Sequence, residues 1–173
     1  MIGDQDPLVF WTEAYALVAA VTLIVLAAAA AIAWNQFQQA KKAWYAETLA
    51  DLSHRWDETQ MVASRLLASR SGEGQQLREW IEYYSTPPVS RELFVLQRVP
   101  NYFEDPAVLE EYEALPFELI KGSFGGTLVL TWDRWKSAVE FLRQDEEYDP
   151  IYAKFEVLAE KMRAALPPLT VGQ

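Results

Sequence analysis

The sequence predicts an all-α protein with one N-terminal transmembrane helix that continues into a cytosolic bundle of about six helices. Three observations favour this class. An uncharged apolar stretch lies near the amino terminus, apolar residues recur at helical spacing through most of the remaining chain, and proline or glycine separates the segments. An isolated strand would have no pairing partner elsewhere in the chain, so helix is favoured throughout.

The membrane span is predicted from residues 14–33, which contain no charged residue. At about 1.5 Å per residue, a helix of this length crosses the hydrocarbon core of about 30 Å. Trp11 and Tyr15 lie at one end and Trp34 at the other, where aromatic rings favour the headgroup level. We expect a transmembrane helix over residues 14–34, with these aromatic residues and the nearby Lys41 and Lys42 as membrane-interface anchors.

A cleaved signal peptide is the alternative for this stretch, because residues 29–31 and 31–33 resemble small-residue cleavage sites. The amino-terminal flank argues against it, since it carries Asp4, Asp6 and Glu13 in place of basic residues. The apolar run is also longer than the core of a signal peptide. We therefore expect the span to be retained.

The orientation is predicted from basic residues beside the span. Lys41 and Lys42 follow it, whereas no Lys or Arg precedes it, and the basic side is normally cytoplasmic. This predicts a membrane protein with a single span, its amino terminus outside and its carboxy-terminal domain in the cytoplasm. The predicted organisation is an extracytoplasmic acidic tail (residues 1–13), the transmembrane helix (14–34), a juxtamembrane helix extension (35–56) and a cytosolic all-helical domain (57–173).

The juxtamembrane segment contains no glycine or proline, and apolar residues recur in it every three to seven positions. The helix should therefore continue to about residue 56, and Asp57-Glu58 should open a second helix. Residues 71–74 end that helix. A third helix is expected to bury Leu77, Trp80, Ile81 and Tyr84 and to stop before Pro87-Pro88.

Prolines are predicted to set the later helix boundaries. A fourth helix should end before Pro100, and Asp105-Pro106 and Asp149-Pro150 should each start a helix, with an N-cap acceptor followed by proline. Residues 121–135 contain three glycines, which suggest a turn or a close helix crossing. We interpret that region as helical, and its KGSFGG segment as a hinge because it lacks the spacing of a phosphate-binding loop.

Composition limits the chemistry and the partners. The chain has no cysteine, so disulfides, thiolate zinc sites and iron–sulfur clusters are excluded. Residues 43–173 hold 13 Lys and Arg against 22 Asp and Glu, a formal balance of −9. Nucleic acid phosphates and anionic lipid surfaces would repel such a domain. We therefore expect proteins as its partners, and no nucleic acid.

No catalytic, cofactor-binding or metal-binding residue is predicted. Glu47, Asp51 and His54 share one helical face and could form a metal-dependent enzyme site, but di-iron bundles use two histidines and this chain has one. With a single histidine and no Gly-x-Ser-x-Gly motif, nucleophilic catalysis is disfavoured. A solvated face is the preferred interpretation.

Two further patterns bear on protein contacts. The acidic runs 110–113 and 145–149 lack the pattern of a calcium loop and are interpreted as solvated faces or docking patches for a basic partner. The chain has seven tryptophans. Trp80, Trp132 and Trp135 are expected in the core, and any of them left exposed would be an interface anchor.

Small residues mark the predicted span. Ala16/Ala20 and Ala27/Ala31 are small-xxx-small pairs, which let a neighbouring helix approach closely. These four residues are the predicted transmembrane interface. The alternative is that alanine only fills a lipid-facing span.

From Ala40 onward the chain resembles an uncharacterised bacterial family of small single-span membrane proteins with an all-helical cytosolic domain of unknown function. The stretches that carry the resemblance are AKKAW, LSHRWDETQMVASRLL, VPNYFEDPAVLEEY, TWDRWKSAVEFLR and YAKFEVLAEKM. None is a catalytic signature. The resemblance implies the fold, the topology and a location in an inner (cytoplasmic or intracytoplasmic) bacterial membrane. It implies no activity.

The first functional hypothesis is a non-catalytic structural subunit, whose span packs among integral membrane protein subunits in the lipid bilayer while its acidic domain docks on their cytoplasmic face. A photosynthetic or respiratory assembly is the kind of host expected. The second hypothesis is a membrane-tethered regulator or adaptor that binds a soluble cytosolic protein. The third is the metal-dependent enzyme considered above.

Overall fold

The computed structural model describes residues 7–86, 90–144 and 151–167, and all regular structure in these ranges is helical. The all-α class is therefore confirmed. The chain divides into two compact units, Met1–Glu47 and Thr48–Gln173, and the last turns of the first helix belong to the second unit. The helices are α1 (Pro7–Asp57), α2 (Thr59–Arg70), α3 (Gln75–Ser85), α4 (Arg91–Glu111), α5 (Phe117–Leu142) and α6 (Ala153–Ala165).

Helix α1 begins at Pro7, seven residues before the predicted start of the span, so part of the predicted amino-terminal tail is helical. It ends at Asp57 without interruption, because the intervening sequence has no glycine or proline. The single long helix agrees with the prediction that the span continues into the domain. Glu58 separates α1 from α2 and takes an extended conformation with φ −57° and ψ 142°.

Helix α4 corrects the prediction that Pro100 ends one helix and Asp105-Pro106 starts another. One helix runs from Arg91 to Glu111 with both prolines inside it. A proline in a helix interior removes a hydrogen-bond donor and crowds the carbonyl four residues earlier. Both prolines are buried here, so tertiary packing offsets that cost.

Helix α5 confirms that residues 121–135 are helical, and it shows that the hinge interpretation of KGSFGG was wrong. Gly125 is buried inside the helix. A β-carbon built on Gly125 would lie 3.3 Å from Met162 Sδ and 3.6 Å from Leu166, so α5 approaches α6 closely at this point. The glycine therefore permits a close helix crossing, the second of the two predicted alternatives.

Helix α3 buries Leu77 and Ile81 completely, as its apolar spacing predicts. The prediction that Trp80 is buried was wrong, because its side chain is 41% exposed, and Tyr84 is only partly buried. Helix α3 has a single buried stripe along Leu77 and Ile81. Trp80 lies at the edge of that stripe, about 60° from Leu77 on the helical wheel.

The core of the second unit is aromatic. Phe103 of α4 stacks on Phe155 of α6 with ring centroids 5.2 Å apart, and Trp132 of α5 meets the edge of Phe155 at the same distance. Trp132 and Trp135 are both buried, as expected. The predicted helix start at Asp149-Pro150 lies outside the described residues.

Candidate functional site

Helix α1 is the one helix in the described ranges that is long and apolar enough to cross a membrane. In the most apolar 18-residue segment of this helix, no residue is buried against other described residues. Large side chains such as Leu17, Ile24 and Leu26 are more than 60% exposed. An apolar surface of this extent requires lipid or another protein to cover it.

The four alanines of the predicted interface lie on one side of α1. At 100° per residue, Ala16, Ala20, Ala27 and Ala31 fall within an arc of about 60° on the helical wheel. All four are exposed. Leu23 lies on the same side between the two pairs, so the side presents two small-residue patches separated by a larger side chain.

The predicted membrane-interface anchors are accessible. Trp11, Tyr15 and Trp34 are each more than half exposed. Lys41 and Lys42 are also exposed, and Lys41 Nζ lies 5.6 Å from the centre of the Tyr45 ring. Their anchoring role stays a prediction.

The face that carries Glu47, Asp51 and His54 is solvent-exposed. His54 Nδ1 lies 3.8 Å from a carboxylate oxygen of Glu58, and its side chain is 79% exposed. Within the described ranges, no three His, Asp or Glu side chains converge as a metal site would require. The arrangement thus offers no support for the metal-enzyme hypothesis.

The last turns of α1 are held inside the second unit by α4. The Tyr102 hydroxyl donates a buried hydrogen bond of 2.8 Å to the carbonyl oxygen of Leu52. Arg55 forms an ion pair of 2.6 Å with Asp105. The hydrogen bond from Arg55 to Asp105 raises the pKa of the guanidinium, and burial raises the pKa of Tyr102.

The acidic run 110–113 was interpreted as a solvated face or a docking patch, and residues 111–113 are exposed. Glu110 pairs with Lys161 and Glu111 pairs with Lys154, so two of its carboxylates hold α6 against α4. Glu104, about two turns earlier on α4, accepts hydrogen bonds from the first backbone N–H groups of α6. The acidic run 145–149 lies outside the described residues.

Helix α3 carries the exposed aromatic surface that the sequence did not predict. Trp80 is 41% exposed and Tyr83 74% exposed, and their spacing places them on one side of the helix. Glu79 and Glu82 are exposed as well, and neither forms an ion pair with a described residue. Exposed aromatic rings beside free carboxylates suit a protein partner with basic residues.

Two of the cavities formed by described residues of the second unit bear on function. The larger, of about 400 Å³, is a polar cleft where Arg98 donates a 2.8 Å hydrogen bond to Gln60 and where the Arg55–Asp105 ion pair lies. The smaller, of about 240 Å³, is lined by Trp56, Arg65, Ala68, Val99, Thr127, Leu130, Thr131, Arg134 and Trp135. Sequence reasoning missed both, because their residues come from helices that are distant in the chain and follow no local motif.

The model of a domain of unknown function (DUF4760) matches residues 15–162, which include the apolar part of α1 and helices α2 to α5. No curated protein and no solved structure matches the chain.

Proposed function

Because the chain belongs to the DUF4760 family, a family of unknown function, its role must be inferred from its own residues, and we propose that it is a non-catalytic subunit of a larger membrane complex. In this proposal α1 packs among integral membrane subunits, and the acidic helical domain docks on the cytoplasmic face of the same complex. A photosynthetic or respiratory assembly is the proposed kind of host.

The observation that carries the proposal is the side of α1 formed by Ala16, Ala20, Ala27 and Ala31. Helix association in lipid depends on close packing, since lipid tails are as apolar as leucine. Alanine pairs at four-residue spacing let two backbones approach. Because all four alanines are exposed, a second helix is free to pack there.

The proposed docking surface is the exposed side of α3. Tyr83 and Trp80 supply apolar contact area, and Glu79 and Glu82 supply charge. Residues 43–173 carry a formal charge of −9, which favours a basic partner surface. Cytoplasmic loops of membrane proteins are rich in Lys and Arg, so they have the required charge.

The proposed topology places the amino terminus outside and the second unit in the cytoplasm of a bacterium. The support is the basic pair Lys41 and Lys42 after the span, against an amino-terminal flank with no basic residue.

The test of this function is purification of the tagged full chain in a mild detergent, followed by native electrophoresis and identification of the accompanying proteins. The proposal predicts co-migration with integral membrane subunits. Migration of the chain alone, or with soluble proteins only, would contradict it.

The second candidate is a membrane-tethered regulator that binds a soluble cytosolic protein. The exposed Trp80 and Tyr83 support this candidate as much as the first, because an aromatic surface can recognise a soluble partner as well as a membrane-bound one.

A matched pair of tyrosines tests the docking surface in both cases. Tyr83 is 74% exposed on α3, and Tyr112 is 76% exposed at the end of α4. Tyr83→Ala should release the partners from the domain, whereas Tyr112→Ala should not. If the two variants retain partners equally, α3 is not the docking surface.

A further inference from the structure

The part of α1 that follows the span carries large aromatic side chains that other described residues do not cover. Residues 35–47 continue the helix, and none of them is buried. Trp34 is 65% exposed, Phe37 is 57% exposed and Trp44 is 43% exposed. Large apolar groups that lie together on a surface mark an interaction site.

The exposed aromatic residues form one stripe along the helix, together with Lys41. At 100° per residue, Trp34, Phe37, Lys41 and Trp44 fall within an arc of about 80°. The rings of Trp34 and Phe37 have their centroids 6.0 Å apart, and those of Trp44 and Tyr45 are 5.6 Å apart. We call Trp34, Phe37, Lys41 and Trp44 the juxtamembrane stripe.

The juxtamembrane stripe continues the alanine side of the span. Its members follow Ala27 and Ala31 at spacings of three or four residues, as in the seam of a coiled coil. The centre of the stripe is displaced from the centre of the alanine side by about 70° around the helix. A heptad seam drifts in this direction by about 20° per heptad, which accounts for more than half of the displacement. A helix that packs on the alanines with a left-handed crossing would therefore also follow the stripe.

Lipid does not cover the far end of the stripe. Trp44 follows Trp34 by ten residues, or about 15 Å along the helix. The headgroup layer on one side of a bilayer is only about 5 to 8 Å thick. With Trp34 at the headgroup level, as predicted, Trp44 lies beyond the lipid. A protein is therefore needed to cover it.

Lys41 limits which protein can cover the stripe. Its Nζ lies 5.6 Å from the centre of the Tyr45 ring, and it forms no ion pair with a described residue. If a second copy of the chain packed in parallel on the stripe, the two Lys41 side chains would lie opposite each other and repel. The stripe therefore suits a different chain that presents a carboxylate at this level.

We propose that the juxtamembrane stripe docks a helix of the same membrane subunit that packs on the alanine side, and that this helix also continues out of the bilayer. The partner helix places apolar side chains opposite Phe37 and Trp44 and an Asp or Glu opposite Lys41. This inference rests on the proposed function, because it requires a membrane partner. It adds the structure and the charge pattern of the partner segment.

The test is photocrosslinking of the full chain in its native membrane. The photoreactive residue p-benzoylphenylalanine replaces Phe37 or Trp44. In the matched controls it replaces Gln39 or Ala46, which are exposed and lie about 160° around the helix from Phe37 and Trp44 respectively. The two stripe positions should crosslink to one integral membrane subunit, with yields severalfold above the controls. Peptide mapping should place both crosslinks in a segment that directly follows a transmembrane helix and contains Asp or Glu.

A charge reversal tests the role of Lys41. Lys41→Glu should lower the crosslinking yield from position 37 by about threefold or more, because an attractive exposed pair becomes a repulsive one. Lys42→Glu, about 100° away on the helix, is the control and should leave the yield unchanged. Both variants change the net charge equally and keep one lysine after the span. Equal yields in the two variants would show that no carboxylate faces Lys41, which overturns the proposed charge pattern.

Four crosslinking results would overturn the docking of a partner helix. Position 44 could crosslink only to lipid, only to a second copy of the chain or only to a soluble protein, or the control positions could crosslink as strongly as the stripe. Native electrophoresis of the same membranes separates this inference from the function on which it rests. Co-migration with membrane subunits without a crosslink to them from position 44 overturns the inference alone. Migration of the chain by itself overturns both.

Discussion

Glu104 on α4 accepts a 2.8 Å hydrogen bond from the backbone N–H of Phe155 in α6. The same carboxylate accepts a 3.3 Å bond from the backbone N–H of Lys154. The first N–H groups of a helix have no partner within the helix, and α6 has no side-chain cap of its own. A residue 50 positions earlier in the chain therefore caps α6.

Replacing Glu104 should loosen α6. Glu104→Ala removes both acceptors and should lower the free energy of unfolding by about 1 to 2 kcal/mol. The measurement is urea unfolding of the detergent-solubilised full chain, followed by tryptophan fluorescence.

Glu111→Ala is the matched control for Glu104→Ala. Glu111 pairs with Lys154 at the surface, and exposed pairs contribute little. Glu111→Ala should therefore lower the free energy of unfolding clearly less than Glu104→Ala does. An equal decrease in the two variants would show that Glu104 does not stabilise α6 by capping it.

Two adjacent glycines of α5 should respond in opposite directions. A side chain at Gly125 meets Met162 and Leu166, so Gly125→Leu should overpack the α5–α6 crossing and cost about 1 to 3 kcal/mol. Gly126 has no atom within 4 Å of an added β-carbon, so Gly126→Ala should stabilise the helix by about 0.5 to 1 kcal/mol. Stabilisation by Gly125→Leu in the same unfolding assay would refute the close crossing.

The buried hydroxyl of Tyr102 should make stability depend on alkaline pH. Burial raises its pKa above the unfolded value of about 10. Above that pH the unfolded chain releases this proton while the folded chain keeps it. The contribution of Tyr102 to the free energy of unfolding is therefore fully present below pH 10 and decreases as the pH rises. In Tyr102→Phe the free energy of unfolding should decrease less steeply with pH.

At neutral pH, Tyr102→Phe should cost about 0.5 to 1.5 kcal/mol, because the hydrogen bond to Leu52 is lost. Thermal unfolding from pH 8 to 11 measures both effects. Tyr112→Phe, at an exposed position, is the control and should keep the wild-type pH dependence. If the stability of Tyr102→Phe falls with rising pH as steeply as that of the wild type, the Tyr102 hydroxyl does not cause the pH dependence.

Local sequence signals were sufficient for the helical class, for the uninterrupted α1 and for the buried stripe of Leu77 and Ile81. They failed where tertiary packing overrides local preference. Pro100 and Pro106 usually stop a helix, yet both are buried inside α4. Gly125 was interpreted as part of a hinge, but the space it leaves is filled by Met162.

The functional surfaces were only partly predictable. The alanine pairs could be found because four-residue spacing is a property of a single helix. The exposure of Trp80 could not be predicted, since it depends on how neighbouring helices cover α3. The same holds for the smaller cavity of the second unit, where α1, α2, α4 and α5 each contribute side chains.

The absence of cysteine gives a direct test of topology. Ser69 is exposed on α2, so Ser69→Cys introduces a single accessible thiol in the second unit. A membrane-impermeant maleimide should label it only after the cells are permeabilised, as a cytoplasmic domain requires. Labelling in intact spheroplasts would contradict the proposed orientation.

The most direct test of the proposed packing compares two double substitutions in α1. Ala27→Leu with Ala31→Leu adds bulk on the proposed interface, and Ala29→Leu with Ala33→Leu adds the same bulk about 180° away on the helical wheel. Both keep the span apolar, so both should insert in the membrane. Overpacking typically costs about 1 to 3 kcal/mol, enough to weaken association severalfold or more. On native electrophoresis, the first variant should lose its membrane partners while the second co-migrates with them as the wild type does. If the Ala27/Ala31 variant inserts and still co-migrates at wild-type strength, the alanine side of α1 does not form the interface.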